Sequence, residues 1–88
     1  MSDKYKVGSD EDVEFGRRLE QAMKDKRVKN RKLAFELNLS PAVIHKYVYG
    51  ISVPRVNTFA EIIKVLGLTP IEAMYILSAF TESEGKDG

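Results

Sequence analysis

Hydrophobic residues recur at helical spacing along the chain, and no stretch shows the apolar-polar alternation of a half-buried strand. In the first helical stretch, predicted to run from about Asp10 to Lys26, one face carries Phe15, Leu19, Ala22 and Met23. Ser9 precedes three acidic residues, a pattern typical of an N-cap followed by side chains that favour the positive end of a helix. The spacing therefore predicts a long amphipathic first helix.

Two short helices are predicted next, separated by a turn. The second helix is expected over Asn30–Leu37, with Asn30 as its cap, and the third over Pro41–Tyr49, ended by Gly50. Asn38 suits the left-handed conformation of a turn, and Ser40 followed by proline is typical of a helix start. The third helix should bury Ile44, Tyr47 and Val48 and expose Ala42, His45, Lys46 and Tyr49.

The remaining chain predicts two more helices. The fourth is expected from Arg55 to Leu66, closed by Gly67, and the fifth from Pro70, capped by Thr69, to about Phe80. We expect a flexible segment over residues 1–9, one domain over residues 10–80 and a flexible tail over residues 81–88. The predicted fold class is all-α, a compact five-helix bundle.

Composition removes several function classes. The chain has 88 residues, no cysteine and one histidine, and it contains no glycine-rich phosphate loop or metal-ligand spacing. We therefore expect no enzyme activity, no metal or other cofactor and no small-molecule substrate. The longest apolar stretch is far shorter than the roughly 20 residues of a membrane span, so no membrane association is expected.

Charge is unevenly distributed along the chain. The net charge is +1, but the segment from Arg17 to Arg55 holds ten basic and three acidic residues, a net +7, which leaves −6 for the rest. A basic surface between acidic ends is typical of a protein with a polyanionic partner, although a charge run is also compatible with an ordinary solvated helix. The charge pattern alone leaves both interpretations open.

Residue types within the predicted helix pair narrow this choice. Small Ala34 stands where two crossing helices approach, turn-competent Asn38 follows four residues later, and apolar Ile44 and Tyr47 pack back. This segment resembles the helix-turn-helix of the XRE-type family of phage repressors and Cro proteins. Three landmarks extend the resemblance over roughly residues 13–77: Phe15-Gly16-x-x-Leu19, Tyr49-Gly50 with Pro54, and Thr58-Phe59-x-x-Ile62-x-x-x-Leu66-Gly67.

Some positions depart from the family pattern. Asn30 replaces the usual glutamine and Asn38 the usual glycine. Met23 and Val48 occupy positions where many members bury an arginine against a glutamate. Because joint replacement of a buried ion pair by apolar side chains is often neutral or stabilising, we expect the same fold, with Met23 in contact with Val48.

The resemblance implies a lambda-repressor-like fold and a set of DNA-contacting residues. Base readout would fall to Pro41, Ala42, His45 and Lys46, and DNA backbone contacts to Lys29, Asn30, Arg31, Lys32, Ser40, Tyr49 and Arg55. Pro41 offers no hydrogen-bond donor, Ala42 suits a thymine methyl group, and Lys46 suits guanine. Sequence discrimination would then rest on few contacts and on DNA shape.

The predicted fifth helix is apolar nearly all round its axis, which a small domain cannot bury completely. We therefore expect a homodimer through Ile71, Met74, Tyr75, Leu77 and Phe80. The resemblance implies a cytoplasmic, phage-encoded or nucleoid-associated regulator of transcription, a repressor that binds double-stranded DNA. The alternative is a protein-binding helix-turn-helix module, antitoxin-like or adaptor, which the poor hydrogen-bonding equipment of Pro41 and Ala42 would favour.

Overall fold

The structure, a computed structural model, describes residues 9–85, so the N-terminal segment predicted to be flexible lies outside the described residues except for Ser9. Over this range the chain is all-α, as predicted, and contains no strand. The helices are α1 (Asp10–Asp25), α2 (Asn30–Leu37), α3 (Pro41–Val48), α4 (Val56–Leu66), α5 (Pro70–Leu77) and α6 (Ala79–Gly85).

Helix starts follow the sequence signals in part. Ser9 with Asp12 and Thr69 with Glu72 form reciprocal capping boxes at the starts of α1 and α5. The expectation that Asn30 caps α2 is wrong: Lys29 is the N-cap, and its side chain makes no capping hydrogen bond. A long ammonium side chain has no acceptor to offer the first amides of the helix.

Four helices end in the same manner. In each, a residue with positive φ follows the last turn, and the next amide donates to a carbonyl five residues earlier, such as Leu39 N–H to Ala34 O at 2.9 Å. The positive-φ residues are Arg27, Asn38, Gly50 and Gly67. The predicted turn at Asn38 is confirmed by its φ of 62°, whereas the left-handed Arg27 at the end of α1 was not expected.

Each of the six helices contributes one to three side chains to the core. Its largest fully buried members are Phe15, Leu19, Leu33, Ile44, Ile62 and Ile76. Met23 and Val48 are both buried in the same cluster, as expected for a joint apolar replacement, and direct contact between their side chains stays a prediction.

The close crossing of α1 and α3 depends on Gly16. A Cβ at this position would lie 2.5 Å from the backbone oxygen of Tyr47 and 2.6 Å from that of Val48. Because the two backbones touch here, the position of α3 relative to α1 is set with little freedom.

The predicted fifth helix is divided in two at Ser78, and residues 81–85 of the predicted tail are helical. The Ser78 hydroxyl donates to Tyr75 O at 2.8 Å. Arg18 Nη1 donates to the same carbonyl at 2.7 Å and to Ser78 Oγ at 3.1 Å, so the end of α5 is satisfied from α1.

The break at Ser78 turns the chain towards α1. Phe80 then lies 5.4 Å from Phe15, measured between ring centroids, and is packed against the core. Phe80 is therefore half-buried by contacts within the protein, and its part in a dimer interface stays a prediction.

Candidate nucleic-acid interface

The outward face of α3 carries the four predicted base-reading residues. Pro41, Ala42, His45 and Lys46 are all exposed, while Ile44, Tyr47 and Val48 hold the opposite side of the helix in the core. From Ala42 to Tyr49 the spacing i, i+3, i+4 and i+7 aligns one exposed stripe along the helix. We call Ala42, His45, Lys46 and Tyr49 the α3 stripe.

Two members of the α3 stripe are stacked on each other. The His45 and Tyr49 rings have centroids 4.2 Å apart and planes inclined by 30°. Their i, i+4 spacing was the only sequence signal for this contact, and the resemblance to the family did not predict it. The stack restrains both rings and leaves the edge of His45 and the Tyr49 hydroxyl as polar groups.

The N-termini of α1 to α5 fall into two groups. The α1 and α5 starts have capping boxes and acidic residues in the first turn. The α2, α3 and α4 starts have neither a side-chain hydrogen bond from the N-cap residue nor a first-turn acid. At α2 and α3 no side chain accepts from a first-turn amide, whereas at α4 the Thr58 amide donates to Asn57 Oδ1 at 3.0 Å. The remaining first-turn amides, together with the helix dipole, favour an anion such as a phosphate at these ends.

Ser40 illustrates the difference at α3. It occupies the N-cap position with extended backbone, as predicted, yet its hydroxyl makes no capping hydrogen bond. The hydroxyl is exposed together with its residue and remains available as a donor to an external acceptor.

Basic residues border these helix starts. Lys29, Arg31 and Arg55 are exposed and make no ion pair within the described part of the chain, whereas Lys32 lies 3.6 Å from Glu36. Asn30 is half-buried at the start of α2. Among residues 9–85, no acid is in ion-pair range of Lys29, Arg31 or Arg55.

Other basic residues between Arg17 and Arg55 form ion pairs with acidic residues of the protein itself. Arg18 is only 8% exposed, and its guanidinium group donates to Glu14 at 2.7 Å and to Glu82 at 2.6 Å. The central carbon of this group lies 4.3 Å from the centroid of the Tyr75 ring. Arg17 Nη2 lies 2.7 Å from Glu14, and Lys26 Nζ 3.3 Å from Glu72. The charge count along the sequence therefore overstates the positive charge that a polyanion would meet.

Glu14 carries the clearest electrostatic effect of this cluster. Hydrogen bonds from Arg17 and then Arg18 lower its pKa from 4.5 to about 2. Hydrogen bonds to Glu82 and then to Glu14 raise the pKa of Arg18, so this cation stays charged at any ordinary pH. The cluster links α1 to α5 and α6 and contains no residue of the α3 stripe.

A groove of about 710 Å³ lies at the turn between α1 and α2. Its apolar lining includes Met23 and Val28, and its polar lining comprises Glu20, Lys24, Arg27, Lys29, Asn30 and Arg31. Four cations around one groove next to the start of α2 extend the positive surface beyond the helix pair itself.

The exposed part of α5 is strongly apolar. Ile71, Met74, Tyr75 and Leu77 are 81, 65, 54 and 40% exposed. We call these four residues the α5 face. They are four of the five residues predicted for the dimer interface, and the fifth is Phe80. The Tyr75 ring also makes a contact within the protein, because the Arg18 guanidinium group lies over its face.

Within the described residues, no cluster of three or more histidine, cysteine or acidic side chains has the arrangement of a metal site. No helix in that range has both the length and the apolar character that crossing a membrane requires.

Comparison with known proteins gives one match. A family model described as helix-turn-helix matches residues 19–72, which is more than half of the chain and includes the α2–α3 pair. No curated protein and no solved structure matches significantly.

Proposed function

The chain belongs to the XRE-type helix-turn-helix family of DNA-binding transcription regulators, and on this premise we propose that it is a sequence-specific repressor. In this proposal α3 enters the major groove of double-stranded DNA and its exposed stripe meets the base edges. Pro41, Ala42, His45 and Lys46 contact bases.

One observation carries the proposal: the N-cap residues of α2, α3 and α4 make no side-chain hydrogen bond and their first turns have no acid, while α1 and α5 have both. At α4 only the Thr58 amide has a side-chain acceptor, Asn57 Oδ1. DNA phosphates would supply the missing acceptors at these ends. The backbone contacts then come from residues at the ends of α2, α3 and α4, namely Lys29, Asn30, Arg31, Lys32, Ser40, Tyr49 and Arg55.

We further propose that the protein acts as a homodimer through the α5 face. Exposure of Ile71 and Met74 at 81 and 65% leaves apolar surface that a second copy would cover about a two-fold axis. Two α3 helices would then enter successive major grooves about 34 Å apart, on an operator with inverted half-sites.

The same apolar surface favours a second candidate function, an antitoxin-like or adaptor module that binds another protein. Phe35, which is 81% exposed on α2, adds apolar surface outside the α5 face. This candidate requires no preferred DNA sequence, so DNA selection separates it from the repressor.

The test is selection of bound sites from random duplex DNA. We expect enrichment of an inverted repeat, and affinity for it should fall with salt at a logarithmic slope of about −0.9 per neutralised phosphate. Arg31→Gln should reduce the slope by about 1, because it removes an unpaired cation at the start of α2.

Arg17→Gln is the matched control, since Arg17 is bonded to Glu14 rather than free; it should leave the slope unchanged. Recovery of no preferred sequence, or an affinity that does not respond to salt, would contradict the proposed function.

A further inference from the structure

Tyr49 starts from a fixed point at the end of α3. It is the C-cap of the helix, and its amide donates to His45 O at 3.0 Å. The next residue, Gly50, has a φ of 76°, and a Cβ there would lie 2.7 Å from Val13 Cα. Because the backbone after Tyr49 packs directly on α1, the end of α3 has little room to shift. The Tyr49 side chain therefore extends onto the α3 stripe from a rigid base.

The ring of His45 is held by this tyrosine. The two ring centroids are 4.2 Å apart, and the ring planes are inclined by 30°. A histidine on an open helix surface exchanges between rotamers, whereas a ring stacked on a neighbour keeps its polar edge in a narrower range of directions. Within residues 9–85 neither ring nitrogen of His45 makes a hydrogen bond, so both are available to a ligand.

His45 differs in this respect from the other predicted base-reading residues. The side chains of Pro41 and Ala42 have no donor or acceptor, and Lys46 carries its donors on a flexible stem. The nitrogens of an imidazole ring match hydrogen-bonding groups of the major groove such as N7 and O6 of guanine or N7 and N6 of adenine. Among these four residues, His45 alone combines a polar edge with a restrained direction.

We propose that Tyr49 is a positioning residue for base recognition: its ring orients His45, and the oriented imidazole distinguishes one base pair in each half-site. This inference rests on the proposed DNA-binding function, in which Tyr49 contacts the DNA backbone, and gives its ring a second role. The two roles belong to different parts of the side chain. A hydroxyl bonded to a phosphate adds affinity for every sequence, whereas a ring that orients His45 changes the preference for one base pair.

Preorganisation sets the expected size of the effect. One net hydrogen bond corresponds to about fivefold in affinity, so His45 should prefer its base pair by about this factor. Immobilising a side chain that is free before binding lowers affinity by about two- to tenfold. Without the stack, this loss should cancel most of the preference.

The experiment uses the best duplex obtained by selection and measures affinity with each of the four base pairs at every position. His45→Ala identifies the base pair that His45 reads, because the preference of about fivefold should disappear there and nowhere else. Tyr49→Phe and Tyr49→Leu are then compared at this position. Both lack the hydroxyl, but only Tyr49→Phe keeps a ring to stack on His45. The preference should stay at about fivefold in Tyr49→Phe and fall below about twofold in Tyr49→Leu.

Two further variants are controls. In the His45→Ala background, Tyr49→Leu should not change the preference again, because the two residues act through one contact. Phe35→Leu removes another aromatic ring, 81% exposed on α2, and should keep the full preference. All three positions are exposed, and circular dichroism should show every variant folded.

Three results overturn the inference and leave the proposed function intact. A Tyr49→Leu variant that keeps the preference would show that the stack does not orient His45. Equal loss of the preference in Tyr49→Phe and Tyr49→Leu would assign the effect to the hydroxyl. A His45→Ala variant with unchanged preferences at every position would show that His45 reads no base pair. If selection yields no preferred duplex, the proposed function and this inference both fail.

Discussion

Gly16 shows how little room separates the first helix from the recognition helix. Alanine there would place its Cβ 2.5 Å from a backbone oxygen of α3, an atom that cannot swing aside. We expect Gly16→Ala to destabilise the fold by about 3 kcal/mol, the upper part of the range for overpacking. Urea denaturation measures this loss.

Gly67→Ala is the control for the Gly16 substitution. Gly67 has a φ of 67° and no atom near its missing Cβ, so alanine adds conformational strain but no clash. We expect about 1 kcal/mol of destabilisation. Equal losses at the two glycines would contradict the close crossing of α1 and α3.

Single residues also show where sequence reasoning ends. Asn38 was predicted to be left-handed because its short polar side chain tolerates that conformation, and it is. Arg27 adopts the same conformation without any such preference, because the chain must end α1 and begin α2 within four residues. Local conformational preference predicts the left-handed Asn38. The left-handed Arg27 is explained only by the course of the chain between α1 and α2.

Arg18 links the longest helix to the end of the chain. It pairs with Glu14 on its own helix, bonds a carbonyl at the end of α5 and reaches Glu82 on α6. Arg18→Met should destabilise the protein by about 2 kcal/mol, because the hydrogen bonds of a charged group to three helices are lost, while Tyr75 O keeps only the Ser78 hydroxyl as a donor.

Arg17→Met supplies the comparison for this measurement. Arg17 bonds the same Glu14, but its side chain is 64% exposed, and exposed ion pairs contribute at most about 1 kcal/mol. Thermal unfolding should therefore separate the neighbouring variants, and equal losses would show that Arg18 does not act as a link between helices.

The pKa of Glu14 gives this link a dependence on pH. Its folded-state pKa of about 2 lies below the ordinary value of 4.5, so its contribution is present above pH 4.5 and is lost as the pH falls towards 2. Glu14→Gln should flatten the loss of stability across this window. Urea titrations between pH 5 and 2 measure this change in slope against the original protein.

The hydrogen bonds of Arg18 also show which helix boundaries could be predicted from the sequence. Starts at Ser9 and Thr69 and ends at Gly50 and Gly67 follow from side chains a few residues away. The break at Ser78 does not, because it is held by a guanidinium group 60 positions earlier in the chain. Helical periodicity continues through this point in the sequence, so a single fifth helix was expected.

The whole molecule has two candidate interaction surfaces, the α3 stripe with the helix starts of α2, α3 and α4, and the α5 face. The α3 stripe followed from the family register. The uncapped starts of α2 and α3 did not, since Asn30 and Ser40 were expected to cap them, and neither did the ring stack at His45. The α5 face followed from the surplus of apolar residues. Its membership changed in one respect, since Phe80 packs on Phe15.

Dimerisation is best tested on the exposed α5 face rather than at Phe80. Met74→Lys places a charge at a site that is 65% exposed, so the monomer should stay folded while self-association weakens by about tenfold or more. Sedimentation measures association. Phe35→Lys, an equally drastic change at an 81% exposed site on α2, should leave it unchanged.

A sedimentation profile that is monomeric before any substitution would contradict the dimer. Operator binding at full affinity by such a monomer would separate the DNA-binding proposal from the symmetry proposal, because recognition would then need only one half-site.

The uncapped helix starts place stability and DNA affinity in opposition. A good N-cap side chain contributes about 1 kcal/mol to a helix, and an acidic first turn adds a further favourable interaction with its dipole. At α2 the N-cap is Lys29 instead, and at α3 the hydroxyl of Ser40 is left unbonded. Aspartate at either position would produce a more heat-resistant protein that repels the phosphates assigned to these ends in the proposed function, so selection for thermostability alone should weaken DNA binding.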